Sequence, residues 1–488
     1  MSSPLRRIAA LCVLAGLAFG ARADPWQGPG DEGLRSDIQL LADAGILRGP
    51  VMTWPLSMPD ISRDALAASL DSLDTATAAA LLRVQRRARD ASAHGFAGAG
   101  IRAAGSSEPE ILRGFADTPR EEGELGLRAS WLGDHVAINL QGSYVADPDD
   151  GQDFRADGSY LGVNFGNFML SAGLMERWWG PGWDNSMILS TNARPIPSIT
   201  LERNYTDPFK SRWLSWVGPW RASIAVGRAE SSGVPVANVR FFAARVNFKP
   251  RPWLEVGLTR TAQWCGGDRP CDWGTFVDMF LGNDNQVADG TASLDQPGNQ
   301  MAGYDLRLRS PWRKLPMAFY SQWIGEDEAG GLPSKFIGLF GLENWGSSAW
   351  GGWRLRAEYG DTACNFTRKA PEFNCAYLNL VYPQGYAYRG RVIGSSMGND
   401  SRMYTLSGLL SRANGDVLSA TVRRVELNRD GHEHVLTSVP LDVDNVELRY
   451  STALGAGRIS VGVGYEHPAI SAESGSGLSG FAVWQQGF

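Results

Sequence analysis

Glu124-Leu125-Gly126-Leu127-Arg128-Ala129-Ser130-Trp131 sets Leu125, Leu127, Ala129 and Trp131 against Glu124, Gly126, Arg128 and Ser130. A period of two marks an extended strand with one apolar and one polar face. The alternation returns at Val136, Ile138 and Leu140; at Tyr304, Leu306 and Leu308; at Trp353, Leu355, Ala357 and Tyr359; and at Val446, Leu448 and Tyr450. Opposite these apolar residues stand Asp305, Arg307, Arg309, Arg354, Arg356, Glu358, Glu447 and Arg449. Charges at that density need water or ionic partners. A soluble sandwich, apolar inside, and a membrane barrel, apolar outside, share this pattern, so alternation alone leaves both open.

The connections separate the two. Strands are expected near 96, 124, 135, 158, 168, 196, 219, 238, 252, 301, 317, 334, 351, 402, 417, 443, 458 and 478. Short turns then follow even-numbered strands, as at Gly133-Asp134, Gly166-Asn167, Lys249 to Arg251, Ala413 to Gly415 and Leu454 to Gly457. The stretch from Asn204 to Gly218 is the exception. Long connections follow odd-numbered strands, at 105 to 123, 147 to 157, 265 to 300, 361 to 401 and 468 to 477. Short turns on one rim, long loops on the other and an even strand number describe an outer-membrane barrel of about eighteen antiparallel strands; a sandwich predicts no such parity. Phe488, a terminal aromatic, fits this class, and Trp131, Trp253, Trp312, Trp323 and Trp345 near strand ends read as interfacial girdles.

The start of the chain has a different texture. Arg6-Arg7, an apolar run from Ile8 to Phe19 and Ala21-Arg22-Ala23 have the order of a secretory signal, with cleavage expected before Asp24 and Cys12 inside the discarded peptide. Residues 24–94 then read as a small helical domain. Leu34, Ile38 and Leu41 have helical spacing, Gly45 is a stop, and Ser57 with Asp60 forms a cap. A third segment from Asp74 to Arg89 sets Ala78, Leu81 and Leu82 against Arg83, Arg86 and Arg87, which reads as a packed helix with a solvated basic face. The barrel is expected over 95–488. Beyond the signal there is no apolar run of the roughly 18 residues a transmembrane helix needs, so only a closed barrel spans a membrane here.

A net charge of −6 excludes a nucleic-acid binder that works by neutralising phosphates. Cys265 with Cys271 and Cys364 with Cys375 form two close pairs in the long loops of an exported chain, and local disulfides are expected. The five histidines, His94, His135, His432, His434 and His467, lie far from these cysteines, so no metal site and no cofactor are expected. Asp278, Asp284 and Asp295 lack the ligand ladder of a calcium loop.

Glu176-Arg177-Trp178-Trp179-Gly180-Pro181-Gly182-Trp183-Asp184, followed by Ser190-Thr191-Asn192-Ala193-Arg194-Pro195, is too particular for generic barrel sequence. It resembles the capsule assembly Wzi family. Three further segments are similar to that family: Asp43 to Ile46 leading to Thr53-Trp54-Pro55-Leu56-Ser57, Arg113-Gly114-Phe115-Ala116-Asp117-Thr118-Pro119-Arg120, and Gly298-Asn299-Gln300 with Ala302-Gly303-Tyr304-Asp305. The resemblance implies an eighteen-stranded barrel with a periplasmic helical bundle, occluded rather than open. It also implies an outer-membrane lectin that binds capsular polysaccharide and helps attach it.

Two readings of the tryptophan-rich segment stay open. Trp178, Trp179 and Trp183 offer flat faces to sugar rings, and Arg177, Asp184 and Arg194 offer charged partners to hydroxyls and uronates. Alternatively, Gly180-Pro181-Gly182 forces a tight turn and the tryptophans fill the barrel mouth or belt, with Arg194 bonding loop carbonyls. Arg307, Arg309, Arg354 and Arg356 are expected to pair internally and plug the lumen. Neither a serine–histidine–acid set nor a glycosidase carboxylate pair can be assembled from these residues, so no enzyme is expected. The expected partners are surface polysaccharide and outer-membrane lipid, and the expected state is a monomer. The rival reading is a porin or polysaccharide channel.

Overall fold

The structure, a computed structural model, describes residues 24–267, 269–281, 298–312, 314–329, 332–470 and 477–487. The signal segment, Asp284, Asp295 and Phe488 lie outside the described residues.

Eighteen antiparallel strands close into a barrel. In chain order they are β1 Gly95–Ser106, β2 Gly123–Leu132, β3 Val136–Ala146, β4 Tyr160–Phe165, β5 Phe168–Gly173, β6 Ser198–Arg203, β7 Trp220–Arg228, β8 Arg240–Arg251 and β9 Leu254–Trp264. They continue with β10 Asn299–Arg309, β11 Met317–Ala329, β12 Leu332–Ser348, β13 Gly351–Asp361, β14 Arg402–Ser411, β15 Val417–Leu427, β16 Leu441–Leu454, β17 Gly457–His467 and β18 Gly477–Gln486. Every start lies within two residues of its sequence expectation. β18 closes the cylinder on β1, with Phe481 opposite Ser106 and Gln486 opposite Ile101.

The alternation points apolar residues outward. Leu127, Leu140 and Leu406 are each more than 60% exposed, while Arg128 and Ser130 between them are buried. An apolar belt carried by nearly every strand is unfavourable in water and favourable in hydrocarbon, where the closed ladder leaves no unpaired edge. Trp131, Trp253 and Trp312 stand exposed near strand ends. Trp323 lies in an aromatic cluster with Tyr304, Phe336 and Phe340. Trp345 departs from the girdle reading: it is 7% exposed and faces the lumen, where the Arg307 and Arg354 guanidinium carbons lie 5.6 and 5.2 Å from its ring centre.

Three helices precede the barrel, α1 Glu32–Asp43, α2 Met58–Ala67 and α3 Thr75–Ala91. Each begins where a side chain satisfies an orphan amide: Asp31 accepts from Leu34, Ser57 from Asp60, and Asp74 from Ala76 and Thr77. The chain reverses after α1 at Gly45, whose φ of +79° suits glycine. Ile38, Leu41, Ile61, Ala65, Leu81 and Val84 pack as one core. The arginine face of α3 is only partly solvated. Arg86 is exposed, but Arg83 grips Asp37 with two bonds of 2.7 Å and donates to the carbonyl of Arg412 in a short turn, and Arg87 donates to Gln27. The reason is placement, because α3 lies across the short-turn rim.

From that rim the helical unit enters the lumen and is held by charge. Arg307 reaches Asp43 at 2.6 and 2.8 Å and Glu343 at 2.6 Å, and Arg354 shares Glu343. Glu32 pairs with Arg356 and Arg449. Arg245 clasps Asp305 at 2.6 and 2.8 Å, with both side chains fully buried. Buried charges are tolerated only when paired and hydrogen-bonded, which is what the inward charges of the strands supply. At the opposite rim the disulfides Cys265–Cys271 and Cys364–Cys375 close short loops, with Cα separations of 4.8 and 6.0 Å. The first is followed by a fourth helix, α4 Trp273–Leu281.

Candidate functional site at the barrel mouth

Residues 174–197 join β5 to β6 at the long-loop rim, yet the segment turns inward. Trp178 and Trp179 pair with Trp54 and Thr53 of the helical unit in a two-residue antiparallel ladder. A backbone that enters from one end thus meets one that enters from the other. Gly180 makes the turn at φ +141°, and a Cβ there would lie 2.5 Å from Gln322 Nε2, so the position requires glycine. Gln322 donates to the Trp179 carbonyl and accepts from the Met187 amide.

An aromatic column forms at the meeting point. The Trp54 and Phe115 rings lie 5.0 Å apart at 71°, and Phe115 and Trp178 lie 5.6 Å apart at 81°, both edge-to-face. Arg35 of α1 sits with its guanidinium carbon 4.3 Å from the Phe115 centre and 4.1 Å from that of Trp183, and it donates to the carbonyls of Pro181 and Gly182 at 2.9 Å. Arg356 approaches the Trp183 ring at 4.3 Å. Glu358 on β13 accepts the amides of Trp183, Asp184 and Asn185 at 2.5, 3.1 and 3.3 Å and the Tyr320 hydroxyl at 2.7 Å. Asp184 in turn accepts from Thr405 and from Arg423 twice.

Farther along, the segment knits the loops together. The Ser190 amide donates to Ile393 O, and the Asn192 side chain donates to Val392 O, tying it to the 362–401 loop. Arg194 holds Asp157 with two bonds of 2.8 and 2.9 Å and Asp150 with one of 2.5 Å. Arg155 pairs with Glu121 and Asp150, Arg391 with Asp149, and Arg120 with Glu176. Arg177 donates to the Thr200 hydroxyl and the Met175 carbonyl.

The six residues singled out from sequence therefore belong to one structural unit. Trp178 and Trp179 have no exposed surface and Trp183 has 4%; Arg177, Asp184 and Arg194 are also buried. The flat faces offered to sugar rings are occupied by Phe115, Arg35 and Arg356. The tight turn and mouth-filling tryptophans describe this geometry, and Arg194 bonds one loop carbonyl, the Gln152 side-chain amide at 3.0 Å, beside its two carboxylates. Glu358, Arg35 and Asn185 did not stand out in the sequence, because each acts through contacts with remote segments. Beside the plug a polar crevice of about 490 Å³ remains, lined among others by Arg102, Asp117, Glu121, Arg128, Arg155 and Arg449.

One pair in the outer loops has the look of hydrolytic chemistry. Ser401 Oγ lies 2.9 Å from His434 Nε2. The Leu436 amide donates to His434 Nδ1, so in the neutral ring Nε2 carries the proton and donates to serine, while the serine hydroxyl donates to the Asn399 carbonyl. A general base needs the reverse tautomer. Burial holds the imidazole down at about 4, which keeps it neutral. Among the described residues no group of three or more His, Cys, Asp and Glu is disposed to hold a metal.

The family described as capsule assembly protein Wzi matches residues 95–474. This chain belongs to the Wzi family. Its barrel superimposes on the solved structure of Wzi from Escherichia coli with a TM-score of 0.82 at 26% identity, covering 95% of this chain and all of that one. That protein is described as an outer-membrane protein involved in group 1 capsule assembly and a carbohydrate-binding β-barrel. An uncharacterized 55.8 kDa protein in the cps region of Klebsiella pneumoniae is 33% identical over 377 residues, 75% of this chain and 72% of that one. The present Wzi-family chain is an outer-membrane β-barrel. The four segments through which its sequence resembles the family converge on the plug: Trp54, Phe115 and Trp178 pack edge-to-face, and Asp305 grips Arg245, whose Nε donates to Thr53.

Proposed function

We propose that this chain is a lectin of the bacterial surface. Its long loops face outward, its helical unit of residues 24–94 faces the periplasm, and it binds capsular polysaccharide and helps hold capsule on the cell. The carbohydrate binding described for the E. coli relative and the cps-region location of the K. pneumoniae relative support this reading.

The observation that carries it is a lumen that folded polypeptide enters from both ends. A porin or polysaccharide channel needs a water-filled bore. Here the aromatic column, the buried pairs of Arg307, Arg354 and Arg245, and the Glu358 cradle cross the lumen, leaving the outer loops as the surface on which a polymer lands. In this reading Arg177, Trp178, Trp179, Trp183 and Asp184 position the loops, and Arg194 locks its own loop to the 147–159 loop through Asp150 and Asp157. Contact with an acidic polymer falls to exposed groups above them. Arg368 and Lys369 project from the loop closed by Cys364–Cys375, with Lys335 nearby through its 4.0 Å pairing with Glu372. No step of this function calls for catalysis.

The test has three arms: binding of the purified full-length protein to immobilised capsular polysaccharide, conductance in planar bilayers, and capsule retention in cells lacking the protein. Saturable binding, electrical silence and shedding of capsule into the medium are expected. Steady channel conductance without polysaccharide binding overturns the lectin reading.

A further inference from the structure

The connection between β6 and β7, residues 204–219, is the longest at the short-turn rim. Its first part belongs to the plug. Ser57 donates to Asn204 at 2.6 Å, Thr206 donates to Asp60 at 2.7 Å, and Arg63 of α2 pairs with Asp207 at 3.0 Å. Its second part leaves the lumen altogether. The Phe209 ring stacks on Trp220 at 4.6 Å and 15°, with the Arg203 guanidinium 4.0 Å from the Trp220 ring centre. A single turn of 3₁₀ helix, Ser215–Val217, then brings Trp216 edge-on to Phe248 at 6.3 Å and 88°.

Phe248 fixes which side of the wall this is. On β8, Arg245 and Asn247 are buried in the lumen and Val246 is 40% exposed, so Phe248 shares the outward, lipid-facing side with Val246. The segment therefore folds back over the outside of the barrel, and it continues the apolar belt. Beyond that contact Trp213 is 73% exposed, Trp216 57% and Leu214 44%. Lys210 and Arg212 beside them are exposed, and Arg212 lies 4.8 Å from the Trp213 ring centre. Three large apolar side chains held out together are costly on a water-facing turn. At the headgroup layer the same amphipathic rings are at the depth they favour, and adjacent cations attract anionic lipid.

We propose that residues 208–217 form an interfacial foot seated in the headgroup layer of the periplasmic leaflet. Trp213, Leu214 and Trp216 insert, and Lys210 and Arg212 hold the phosphate of anionic phospholipid. Because Thr206 and Asp207 bind α2, the foot ties the plug to the membrane as well as to the barrel wall. The leaflet assigned here rests on the orientation proposed above; the lipid seat itself does not.

A Ser215→Cys variant of the full-length protein, carrying an environment-sensitive fluorophore in phosphatidylcholine vesicles with added phosphatidylglycerol, tests this. The reference is the same label at Ala413→Cys, on an exposed turn of the same rim. A blue-shifted emission at 215, quenched by headgroup-level spin-labelled lipid while 413 is not, is expected. Emission and quenching equal at the two sites overturn the seat. Spin-labelled phosphatidylglycerol should quench more than spin-labelled phosphatidylcholine, and Lys210→Glu with Arg212→Glu should lower that preference by about fivefold per residue. A preference unchanged by those substitutions overturns the anionic site. Trp213→Ala with Trp216→Ala should abolish quenching while the barrel keeps its compact electrophoretic mobility; quenching that survives overturns the role of the rings. Polysaccharide binding is measured separately, so failure of the foot and failure of the lectin reading are distinguishable.

Discussion

Arg35, on the first helix of the chain, rests 4.1 Å from the ring centre of Trp183, on a loop that enters the barrel from the opposite rim. The contact joins two units that share no strand and no turn. Replacing Arg35 with alanine removes the cation–π contact and leaves the Pro181 carbonyl without this donor, while the Gly182 carbonyl keeps only the Trp178 indole N–H, a local cost of about 2–4 kcal/mol. The expected outcome is faster amide exchange across Glu32–Asp43 with the barrel strands unchanged, measured by hydrogen–deuterium exchange. Protection of that helix equal to wild type contradicts the assignment.

Glu358 sits at the other side of the same ring system, with three consecutive amides and one hydroxyl directed at a single carboxylate. Alanine there orphans four buried donors at about 1–3 kcal/mol each. Glu358→Ala should release residues 183–185 and give brief conductance steps in planar bilayers where the wild type stays silent. Glu358→Gln, which keeps one acceptor oxygen, should open less often than alanine. Silence from both variants contradicts the cradle as the element that closes the mouth.

How much of this was legible from sequence follows from the range of each interaction. Strand starts, sidedness of the loops and both disulfides depend on alternation, loop length and cysteine spacing, all local quantities. The internal pairing of Arg307 and Arg354 also showed, because charges on an inward strand face must be neutralised wherever they point. The inward course of Trp178 to Asp184 did not show: its partners Arg35, Phe115, Glu358 and Arg423 lie on four distant segments, and a loop after an odd-numbered strand reads as projecting outward. Trp345 carried an overlooked signal, since it shares strand parity with Glu343 and so must face the lumen. The Ser401–His434 pair joins two loops 33 residues apart, on either side of β14 and β15, with no periodicity to link them.

Arg368 and Lys369 stand on a loop of fixed shape because Cys364 and Cys375 close it. Their attraction to an acidic polymer is surface electrostatics and therefore screened by salt. Alanine at both positions should weaken binding of an acidic capsular polysaccharide several-fold at low salt. The difference should vanish near 1 M, where the Debye length is about 3 Å. A neutral polysaccharide should bind both forms alike. A loss of affinity independent of salt argues instead for a shape change in the loop.

His434 makes the outer loops sensitive to acid, and the sign can be worked out. Burial lowers its folded pKa from 6.5 to about 4, so between these values the unfolded loop binds protons that the folded loop refuses. Its contribution is complete above about 6.5 and is lost as pH falls toward 4, because a charged ring turns a donor at Nδ1 against the Leu436 amide. Asp400 opposes it: burial raises its carboxyl from 3.8 to about 6, so protonation on acidification relieves a buried charge and adds stability in the same window. Asp400→Asn removes that compensation. In this background, protection of residues 396–401 from exchange should fall steeply between pH 6.5 and 4, and adding His434→Gln should flatten the fall. An Asp400→Asn protein as protected at pH 4.5 as at pH 7 contradicts the neutral imidazole as the clasp between these loops.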